Sequence, residues 1–553
     1  MRRVSGHPST SMDDYQLNTT TFLRHAARTY PEQEIAYRAG DQVRRYNYAA
    51  AYGRTMRMAN ALEGLGIGPG DRVGVLAWNT HRHFELYFAI PGTGAVQVQM
   101  NLRLGTEDLT YVARHSGISL LMCDDSLLPL AEEIAPRLDG LRGVVVMSDQ
   151  PATQVTTSRT PVHDYEELLA AAAPDYDWPM VDETSAYSAC YTSGTTGRPK
   201  GVYYSHRDIC LHSYAMAANL GISSDDCALM IVPMFHGQSW GLFYACAMMG
   251  ARLVFPGRYT AEEPGPLVDL MIAEDVTLGH GAPAIFQPML QYIRGLATKP
   301  DFSRARLLSG ATEPPLSMMR GFKELTGAEI IHAYGATETT PLVTLNYRLK
   351  PSVRARLSRE QQWDLKRKQG LPLSGVDVRV VDASGAEVPH DGVTVGEVCM
   401  RGPWITGRYH SAPGTEDTFR DGFWHSGDAG TVDADGYLKV VDRLKDVIKS
   451  GGEWISSIDM ENAIMGHPEV IDAAVVGLPH PKWQERPLAL VIAKDGATVT
   501  EDEIRGLLLE RFARWQLPDE ILFVAGIPKT SVGKTSKKTI VAEHHDRYLA
   551  SGG

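Results

Sequence analysis

The chain has 553 residues, more than one hydrophobic core usually organises, so two or more folding units are expected. Its hydrophobic content of 43% and charged content of 22% are ordinary for a globular protein and exclude a disordered or fibrous one. The formal net charge of −12 argues against a surface built mainly for nucleic acid.

Predicted strands and helices alternate through the first part of the chain. Buried-strand patterns occur at 71–78 and 95–100, and a helix pattern lies between them at 81–90. Strand and helix patterns then alternate again in "CALMIVP", "SWGLFYACAMM", "ARLVFPG", "VTLGHG" and "PAIFQPMLQYI". Alternation of this kind implies right-handed crossovers and sheets that are largely parallel.

The pattern changes after Arg443. Helices are predicted at 456–465 and 500–515, the second opened by a capping box of Thr500 and Glu503. Short strands between them are predicted at "VIDAAVVGL", "PLALVIAK" and "EILFVAG". About 110 residues are enough for a small α+β domain. We therefore predict an N-terminal domain at 1–443 and a C-terminal domain at 444–553. Before this change, the polar, basic segment 348–370 is predicted as a solvated helix and loop.

Neither a membrane span nor a secretory signal is expected. No run reaches the roughly 18 apolar residues needed to cross a bilayer. The first residues, "MRRVSGHPSTSMDDYQLNTT", contain no apolar h-region. The six cysteines are scattered without a CxxC pair, which is more typical of reduced thiols than of disulfides or a zinc site. These features predict a cytoplasmic protein without a transmembrane segment.

The run "YTSGTTGRPKGV" at 191–202 is poor in apolar bulk. Glycines and hydroxyl side chains let the backbone approach an anion, and Lys200 adds a positive charge. A Walker loop would follow GxxxxGK[ST], whereas Gly194, Gly197 and Lys200 are spaced evenly and Gly201 follows the lysine. By itself the run predicts either an anion-binding loop of another design or a flexible surface loop.

Three further motifs follow this run. They are "AYGATETTP" (333–341), "HSGDAGTVDADGYLKVVDRLKDVIKSGGEWIS" (425–456) and "PKTSVGKTSKK" (528–538). In this order and spacing the four segments resemble the core motifs of the adenylate-forming enzymes, most closely the bacterial medium- and long-chain fatty acyl-CoA synthetases. The resemblance covers nearly the whole chain and implies an α/β fold. That fold has a large N-terminal domain of mostly parallel sheets flanked by helices, and a small mobile α+β C-terminal domain.

The resemblance implies a site for ATP. Attack of a carboxylate on ATP brings two anions together, so the site must neutralise charge. The residues implied to bind ATP or AMP are Thr192, Ser193, Gly194, Thr195, Thr196, Gly197, Lys200, Gly310, Ala311, Thr312, Tyr334, Gly335, Thr337, Asp428, Arg443 and Lys534. The phosphate loop would hold the β- and γ-phosphates, the segment 309–312 would line the adenine, and Tyr334 would stack on it. Asp428 would accept hydrogen bonds from the ribose, with Arg443 near the ribose and the α-phosphate.

Metal binding and catalysis are implied in the same way. Glu338 and Thr195 would hold Mg²⁺, a hard cation that prefers oxygen ligands. The implied catalytic residues are Lys534, Glu338, Thr196 and Lys200. Lys534 would contact both the substrate carboxylate and the α-phosphate. Taken alone, Glu338 fits a helix-start carboxylate, Asp428 a turn aspartate, and "GKTSKK" a solvated basic tail.

A second arrangement of the two domains is implied for the thiol-transfer step. Rotation about Lys445 would withdraw Lys534 and bring the segment 450–454 towards the acyl-adenylate. The residues implied for the hinge and the CoA tunnel are Lys445, Lys449, Ser450, Gly451, Gly452, Glu453 and Trp454.

The acyl pocket is expected from "PMFHGQSWGLF" (233–243) and the backbone before the second motif. Its implied lining is Phe235, His236, Trp240, Gly241, Ala333 and Ala336. Taken alone, His236 also fits a capping or core histidine. Two departures from the family concern the acceptor and the substrate: "GFWHSGD" replaces the commoner Trp-Phe-x-Thr-Gly-Asp, and "GKTSKK" lacks the usual Phe after the lysine. Cys190 is predicted as buried strand packing, and 433–436 as a β-turn rather than a calcium loop.

The implied function is an ATP-dependent acid–thiol ligase. A medium- or long-chain fatty acid, or an aryl-aliphatic one, would form acyl-AMP and then acyl-CoA, so the expected partners are a small carboxylic acid, ATP and CoA. Two alternatives remain open: an amide-forming ligase that uses an amine acceptor, and a non-catalytic acyl or nucleotide sensor that has kept the fold. No nucleic-acid partner is expected. The oligomeric state stays open, and a homodimer is compatible with the sequence.

Overall fold

The computed structural model describes residues 4–12, 14–149, 160–192, 198–451, 453–494, 496–529 and 535–549. Its strands are β1 (Glu34–Ala39), β2 (Gln42–Asn47), β3 (Arg72–Leu76), β4 (Val96–Gln99), β5 (Leu120–Asp124), β6 (Val144–Met147), β7 (Val162–Asp164), β8 (Ala186–Thr192), β9 (Lys200–Ser205), β10 (Cys227–Leu229), β11 (Arg252–Phe255), β12 (Leu278–Gly281), β13 (Arg306–Ser309), β14 (Glu329–Gly335), β15 (Leu342–Asn346), β16 (Leu371–Pro372), β17 (Asp377–Val381), β18 (Gly396–Arg401), β19 (Trp424–Val432), β20 (Leu438–Arg443), β21 (Ile448–Ser450), β22 (Glu453–Ile455), β23 (Val470–His480), β24 (Gln484–Ala493) and β25 (Glu520–Phe523).

The helices occupy most of the segments between these strands. They are α1 (Thr20–Thr29), α2 (Tyr48–Gly64), α3 (His81–Gly92), α4 (Thr106–Ser116), α5 (Leu128–Ile134), α6 (Tyr165–Ala171), α7 (His206–Leu220), α8 (Leu242–Met249), α9 (Gly265–Ala273), α10 (Pro283–Gly295), α11 (Leu316–Thr326), α12 (Pro351–Arg356), α13 (Arg359–Lys366), α14 (Ser457–Ile464), α15 (Glu501–Leu509) and α16 (Lys537–His544). Across the described ranges, no helix combines the length and apolar composition needed to span a membrane.

Two large sheets form the main body. One has the strand order β7-β6-β5-β3-β4-β8-β9 and is parallel except for the last pair. The other has the order β16-β15-β14-β13-β12-β10-β11-β1-β2 and is parallel from β14 to β1. The alternating strand and helix patterns therefore predicted the architecture correctly, because each parallel pair requires a crossover between its strands.

Helix α3 lies between the two sheets and is buried along its whole length. Its Phe84 packs on Phe243 and Phe255 beside one sheet, whereas Leu86 and Ile90 share a core with strands β3 and β5 of the other. The side chain of Thr80 caps this helix by accepting a hydrogen bond from the backbone N–H of His83. A helix that is apolar on several sides suits this position, because both of its faces meet a sheet.

Two smaller sheets complete the fold. An antiparallel sheet has the order β17-β18-β19-β20, and a second sheet is built from β21 to β25. The last strand of the four-stranded sheet ends at Arg443, and the described strands after it belong to the five-stranded sheet. The domain boundary at residue 443 stays a prediction with which this division is compatible. The α/β fold class with a small α+β C-terminal part is confirmed.

Local predictions met mixed outcomes. The capping box of Thr500 and Glu503 is present, but α15 ends at Leu509, so the helix predicted to continue to 515 is wrong beyond that residue. The segment 239–249 is helical only from Leu242, and the residues before it form a left-handed turn. The basic segment 348–370 forms α12 and α13, the second capped by Ser358.

Two further local predictions, the turn at 433–436 and the burial of Cys190, are confirmed. The N–H of Gly436 donates to the carbonyl of Asp433 at 2.8 Å, which closes the predicted turn between β19 and β20. Cys190 lies buried on β8, and burial raises the pKa of its thiol to about 12. A protonated thiol in this position packs against its neighbours rather than acting as a nucleophile.

Candidate active site

Part of the predicted site lies outside the described residues. These positions are Ser193, Gly194, Thr195, Thr196, Gly197, Gly452 and Lys534. For Glu453 and Trp454 only the backbone is described. The roles implied for all of them stay predictions.

The segment predicted to bind phosphate is bracketed by an antiparallel pair of strands. Thr192 ends β8 and Lys200 begins β9, and these two residues face each other in the register of the pair. The backbone N–H of Lys200 lies 3.4 Å from the hydroxyl oxygen of Thr192. Gly201 avoids crowding next to them, because a Cβ at this position would lie 3.0 Å from the ring of Tyr191. The two ends of the loop are thereby fixed at the edge of the seven-stranded sheet.

Glu338 is held beside Lys200 by a residue from outside every motif. The hydroxyl of Tyr409 donates to Oε1 of Glu338 at 2.6 Å. The ammonium of Lys200 lies 4.9 Å from the centre of the same tyrosine ring, within cation–π range. Burial, followed by the negative charge of Glu338, raises the pKa of Tyr409. Tyr409 therefore stays a hydrogen-bond donor, and it contacts both the carboxylate of Glu338 and the ammonium of Lys200.

The turn that carries Glu338 is fixed by its backbone. Strand β14 ends at Gly335, where a Cβ would lie only 1.7 Å from the carbonyl oxygen of Pro341. The hydroxyl of Tyr204 donates to the carbonyl of Thr337 at 2.7 Å, and the N–H of Thr406 donates to the carbonyl of Glu338 at 2.8 Å. With the carbonyls of Thr337 and of Glu338 itself both bound, the backbone that carries the Glu338 side chain is fixed.

A second polar cluster joins Tyr334, Asp428 and Arg443. The hydroxyl of Tyr334 donates to Oδ2 of Asp428 at 2.5 Å, and Nε of Arg443 lies 2.9 Å from Oδ1. Arg443 also donates to the carbonyl of Ser426 at 3.0 Å. Burial and the neighbouring Asp428 raise the pKa of Tyr334 well above its usual value. Both carboxylate oxygens of Asp428 thus have partners, which fix their orientation.

The segment predicted to line adenine follows β13. Gly310 is buried and its N–H donates to the carbonyl of Gly281, whereas Ala311 and Thr312 are exposed. A Cβ at Gly310 would lie 2.8 Å from the ring of Trp240 and 2.9 Å from the carbonyl of Ala333. Gly310 therefore lets the predicted adenine strip approach the predicted acyl pocket.

The predicted acyl-pocket residues gather around a left-handed turn. Phe235 is buried ahead of it and His236 precedes it. Trp240 is the last of three non-glycine residues in a run of five with positive φ, from Gly237 to Gly241. Ala333 is buried on β14, and Ala336 packs against the same core cluster. Such a run of left-handed residues is strained for residues with a side chain, and strain of this kind concentrates at functional sites.

Two histidines that the sequence analysis missed support this turn. Nε2 of His280 lies 2.8 Å from the carbonyl of Ser239, and its ring meets Trp240 edge to face at 5.5 Å. Nε2 of His212 accepts from the N–H of Leu342 at 3.3 Å, and a Cβ at Gly241 would lie 3.1 Å from Nδ1. Burial lowers the pKa of His280 to about 4 and that of His212 to about 3, so both rings are neutral.

The predicted hinge and CoA segment lies across the junction after β20. Lys445 and Lys449 are exposed, whereas Ser450 is buried and its hydroxyl accepts from Nη1 of Arg486 at 3.1 Å. Gly451 adopts a φ of +62°, and a Cβ there would lie 3.2 Å from the ring of Trp483. The structure thus leaves the predicted pivot in solvent and tethers the residues that follow it.

Three sheets meet at the candidate active site. Lys200 belongs to the seven-stranded sheet, Tyr334 to the nine-stranded sheet, and Asp428 to the four-stranded sheet. Tyr409 was missed because it stands 71 residues from Glu338 in the chain, in a segment without a recognisable pattern. Only the packing of the sheets brings these groups together.

Comparison with known proteins identifies the family. Residues 23–410 match the family described as "AMP-binding enzyme", and residues 459–534 match "AMP-binding enzyme C-terminal domain". A "Long-chain-fatty-acid--CoA ligase" of Thermus thermophilus is 42% identical over 99% of both chains. A "3-methylmercaptopropionyl-CoA ligase" of Ruegeria lacuscaerulensis is 40% identical over 95% of this chain and 97% of that protein.

A solved structure agrees with the sequence relatives. The crystal structure of "the anthranilate CoA ligase AuaEII in complex with anthranoyl-AMP" superposes with a TM-score of 0.82 at 25% identity, covering 98% of this chain and 100% of that one. The chain therefore belongs to the AMP-binding enzyme family and is an AMP-forming acid–CoA ligase.

Proposed function

We propose that this ligase activates a medium- or long-chain fatty acid, or an aryl-aliphatic acid, as acyl-AMP and transfers the acyl group to CoA. The observation that carries the proposal is that two polar groups occur in one site. Glu338 and Lys200 meet at Tyr409, where the phosphates would bind, and Asp428 is held by Tyr334, where the ribose would bind. The apolar Phe235, Trp240 and Ala333 support an apolar acyl group. The name of the Thermus thermophilus relative supports a long chain.

The residues of the chain divide the work of the first half-reaction. Lys200 would hold the leaving pyrophosphate together with the loop 193–197, since a cation next to these oxygens lowers the cost of bringing two anions together. Asp428 would bind the ribose hydroxyls, and Arg443 would contact the ribose and the α-phosphate. Lys534 would stabilise the charge that develops between the carboxylate and the α-phosphate.

The carboxylate oxygens of Glu338 are suitable ligands for a magnesium ion. Glu338 as a whole is 9% exposed, and its Oε1 and backbone carbonyl both accept hydrogen bonds, so the carboxylate is held in one orientation. We propose that Glu338 and Thr195 hold Mg²⁺. When bound, the ion would neutralise phosphate charge.

An acid panel tests the proposed substrate class. Pyrophosphate exchange is measured with octanoate, palmitate, 3-phenylpropionate and 3-methylthiopropionate, the last chosen because of the name of the Ruegeria relative. The fatty or aryl-aliphatic acids are expected to give the highest kcat/KM. A clear preference for 3-methylthiopropionate would contradict the proposed substrate class. Exchange with no acid at all would favour the sensor alternative.

A second measurement addresses the acceptor. AMP release after adenylation is compared with CoA and with a panel of amines. CoA is expected to be the acceptor, because the relatives named above are CoA ligases. Release that depends on an amine and not on CoA would restore the amide-forming alternative.

Lys534 provides a test of the two half-reactions. Lys534→Ala is expected to slow adenylation by about a hundredfold or more, the usual effect of removing one transition-state charge partner. Thioester formation from supplied acyl-AMP should change far less. Lys538→Ala, at an exposed lysine four residues further on, is the matched control. Equal loss in both half-reactions would contradict the assignment of Lys534 to adenylation.

Other predictions about this chain stay open. The six cysteines are buried and unpaired, which supports a reducing compartment such as the cytoplasm. The homodimer, the hinge at Lys445 and the domain boundary remain proposals. Sedimentation of the purified protein would measure the oligomeric state directly.

A further inference from the structure

Three side chains that commonly bind transition metals converge on the four-stranded sheet. Glu397 and Cys399 lie two residues apart on β18, so they project from the same face of the strand. His425 on β19 stands opposite Cys399 in the register of the pair. One donor atom from each residue lies within 4.8 Å of the other two. The spacing of cysteines along the chain gave no sign of this cluster.

The distances between these donors are close to those of a tetrahedral metal site. Sγ of Cys399 lies 3.2 Å from Nδ1 of His425, and Nδ1 lies 2.8 Å from Oε2 of Glu397. Bonds of about 2.0–2.3 Å to a tetrahedral zinc ion place its ligand atoms roughly 3.3–3.7 Å apart. Spreading the donors by about half an ångström would admit an ion at their centre.

The surroundings select the kind of ion. Cys399 is 2% exposed and His425 is 8% exposed, whereas the side chain of Glu397 reaches solvent at 16%, on the side where an ion could enter. Arg420 donates to Oε2 of Glu397 at 3.0 Å, and Arg379 faces Cys399 from β17. A cluster with one carboxylate, which is already paired with Arg420, disfavours a hard cation that needs several carboxylates. A thiolate and an imidazole are the ligands that zinc-type ions prefer.

We propose that Glu397, Cys399 and His425 form a binding site for a divalent transition-metal ion of the zinc type, with water as the fourth ligand. On binding, the thiol of Cys399 loses its proton to solvent as the bond from Sγ to the metal forms. This site is separate from the proposed magnesium site, whose ligands Thr195 and Glu338 supply oxygen only. The alternative is a cluster held by hydrogen bonds alone, in which Glu397 supports the strand pair through His425 and Arg420.

Cobalt(II) is the probe for the test, because a bond to thiolate gives it a charge-transfer band in the near ultraviolet. The full-length protein is treated with a chelator and a phosphine reductant, then titrated with Co²⁺ alone. The expected result is a thiolate band that saturates at one equivalent, together with visible bands typical of tetrahedral geometry. Zn²⁺ should abolish both, and Mg²⁺ in excess should not.

Three variants and one control identify the ligands. Cys399→Ser should remove the thiolate band, and His425→Gln and Glu397→Gln should weaken Co²⁺ binding by at least about tenfold. His390→Gln is the control, because this exposed histidine also pairs with a glutamate but belongs to no metal-ligand cluster of the described residues. The control should bind Co²⁺ as the unaltered chain does.

Folding of the variants is measured alongside. Glu397→Gln keeps an oxygen acceptor for His425 and Arg420, so its Tm without metal should match that of the unaltered protein. Co²⁺ should raise the Tm of the unaltered chain and of the control only. No thiolate band in the unaltered chain would overturn the proposal and leave the hydrogen-bonded cluster. Persistence of the band in Cys399→Ser would overturn it as well.

Discussion

The hydroxyl of Tyr409 donates to Oε1 of Glu338, while its ring lies beneath the ammonium of Lys200. One aromatic side chain therefore contacts both charged residues that are proposed to act on the phosphates. A tyrosine can do this because its ring face attracts a cation and its hydroxyl binds an anion. At the scale of the residue, the site depends on such groups that have no motif of their own.

Tyr409→Phe separates the two contacts. Phenylalanine keeps the ring under Lys200 and removes the hydrogen bond to Glu338. A hydrogen bond to a charged group contributes about 1.5–3 kcal/mol, so kcat/KM for ATP in adenylation should fall about ten- to a hundredfold. Tyr437→Phe, which removes a hydroxyl bound to the backbone of Lys350, is the control. An equal loss in both variants would contradict a specific role for Tyr409.

Gly335→Ala tests the packing behind the second motif. The added methyl group would overlap the carbonyl oxygen of Pro341, and backbone atoms cannot move aside as a flexible side chain can. The free energy of unfolding should fall by more than the roughly 1–3 kcal/mol typical of overpacking, or adenylation should be lost. Gly295→Ala on α10, where no atom lies within 4 Å, should be neutral or stabilising. Similar behaviour of the two variants would refute this reading of Gly335.

Helices α14 and α16 connect the C-terminal part of the chain to strand β20. Lys439 on β20 pairs with Asp459 at 2.7 Å, and the N–H of Ser457 donates to Asp442 at 3.2 Å. Lys537 on α16 lies 3.1 Å from Glu461 and 3.8 Å from Asp442. At the scale of the element, the proposed movement of the C-terminal domain must rearrange these charged contacts.

Lys537→Met should destabilise this junction. Burial lowers the pKa of Lys537, but Glu461 and Asp442 more than offset it, so its pKa is raised and the group stays charged. Removing the cation leaves a buried carboxylate uncompensated, a loss of about 3 kcal/mol. Limited proteolysis should cut the region after Arg443 faster, and adenylation should fall, since Lys534 lies in the adjacent segment. Lys538→Met, at an exposed lysine, is the control. Equal rates of proteolysis in the two variants would contradict the prediction.

Buried histidines are distributed through the whole molecule. Besides His425, they are His81, His83, His206, His212, His280 and His332. Burial lowers the pKa of His81 well below its usual value, that of His212 to about 3, and that of the other four to about 4. These side chains are therefore neutral in the folded protein at every pH where it is expected to work.

The stability of the protein should accordingly fall in mild acid. An unfolded histidine has a pKa of about 6.5, so between about pH 6.5 and 4 the unfolded chain binds more protons than the folded one. Each such histidine then lowers the free energy of unfolding by up to about 1.4 kcal/mol per pH unit as the pH falls. Denaturant unfolding at pH 7.5, 6.5 and 5.5 measures this loss.

Asp124 changes the free energy of unfolding with pH in the direction opposite to the histidines. Burial raises its pKa to about 7, so the folded state keeps a proton there that the unfolded chain releases. The stability that Asp124 contributes to the folded state is therefore lost as the pH rises from about 4 to 7. Asp124→Asn keeps the acceptor for the N–H of Trp78 and removes this titration, so the loss of stability in acid should become steeper. An unchanged slope would contradict the pKa direction given for Asp124.

Much of the fold could be predicted because local patterns encode it. Alternating strands and helices gave the parallel sheets, and Ser or Thr followed by an acid three residues later marked the start of α15. The end of that helix was wrong at Leu509, since residues 514–516 turn back to contact β24 through Arg486. The left-handed turn before α8 was also missed, because contacts with His280 and Gly310 stabilise it.

The sequence by itself determined the family, the reaction type and the order of the motifs, because these depend on residue types at fixed spacings along the chain. Only the tertiary structure decided that Tyr409 joins Glu338 to Lys200, that Tyr334 and Arg443 orient Asp428, and that Glu397, Cys399 and His425 meet. The physical reason is that these groups belong to segments far apart in the chain. Their contacts exist only once neighbouring strands have paired and the sheets have packed against each other.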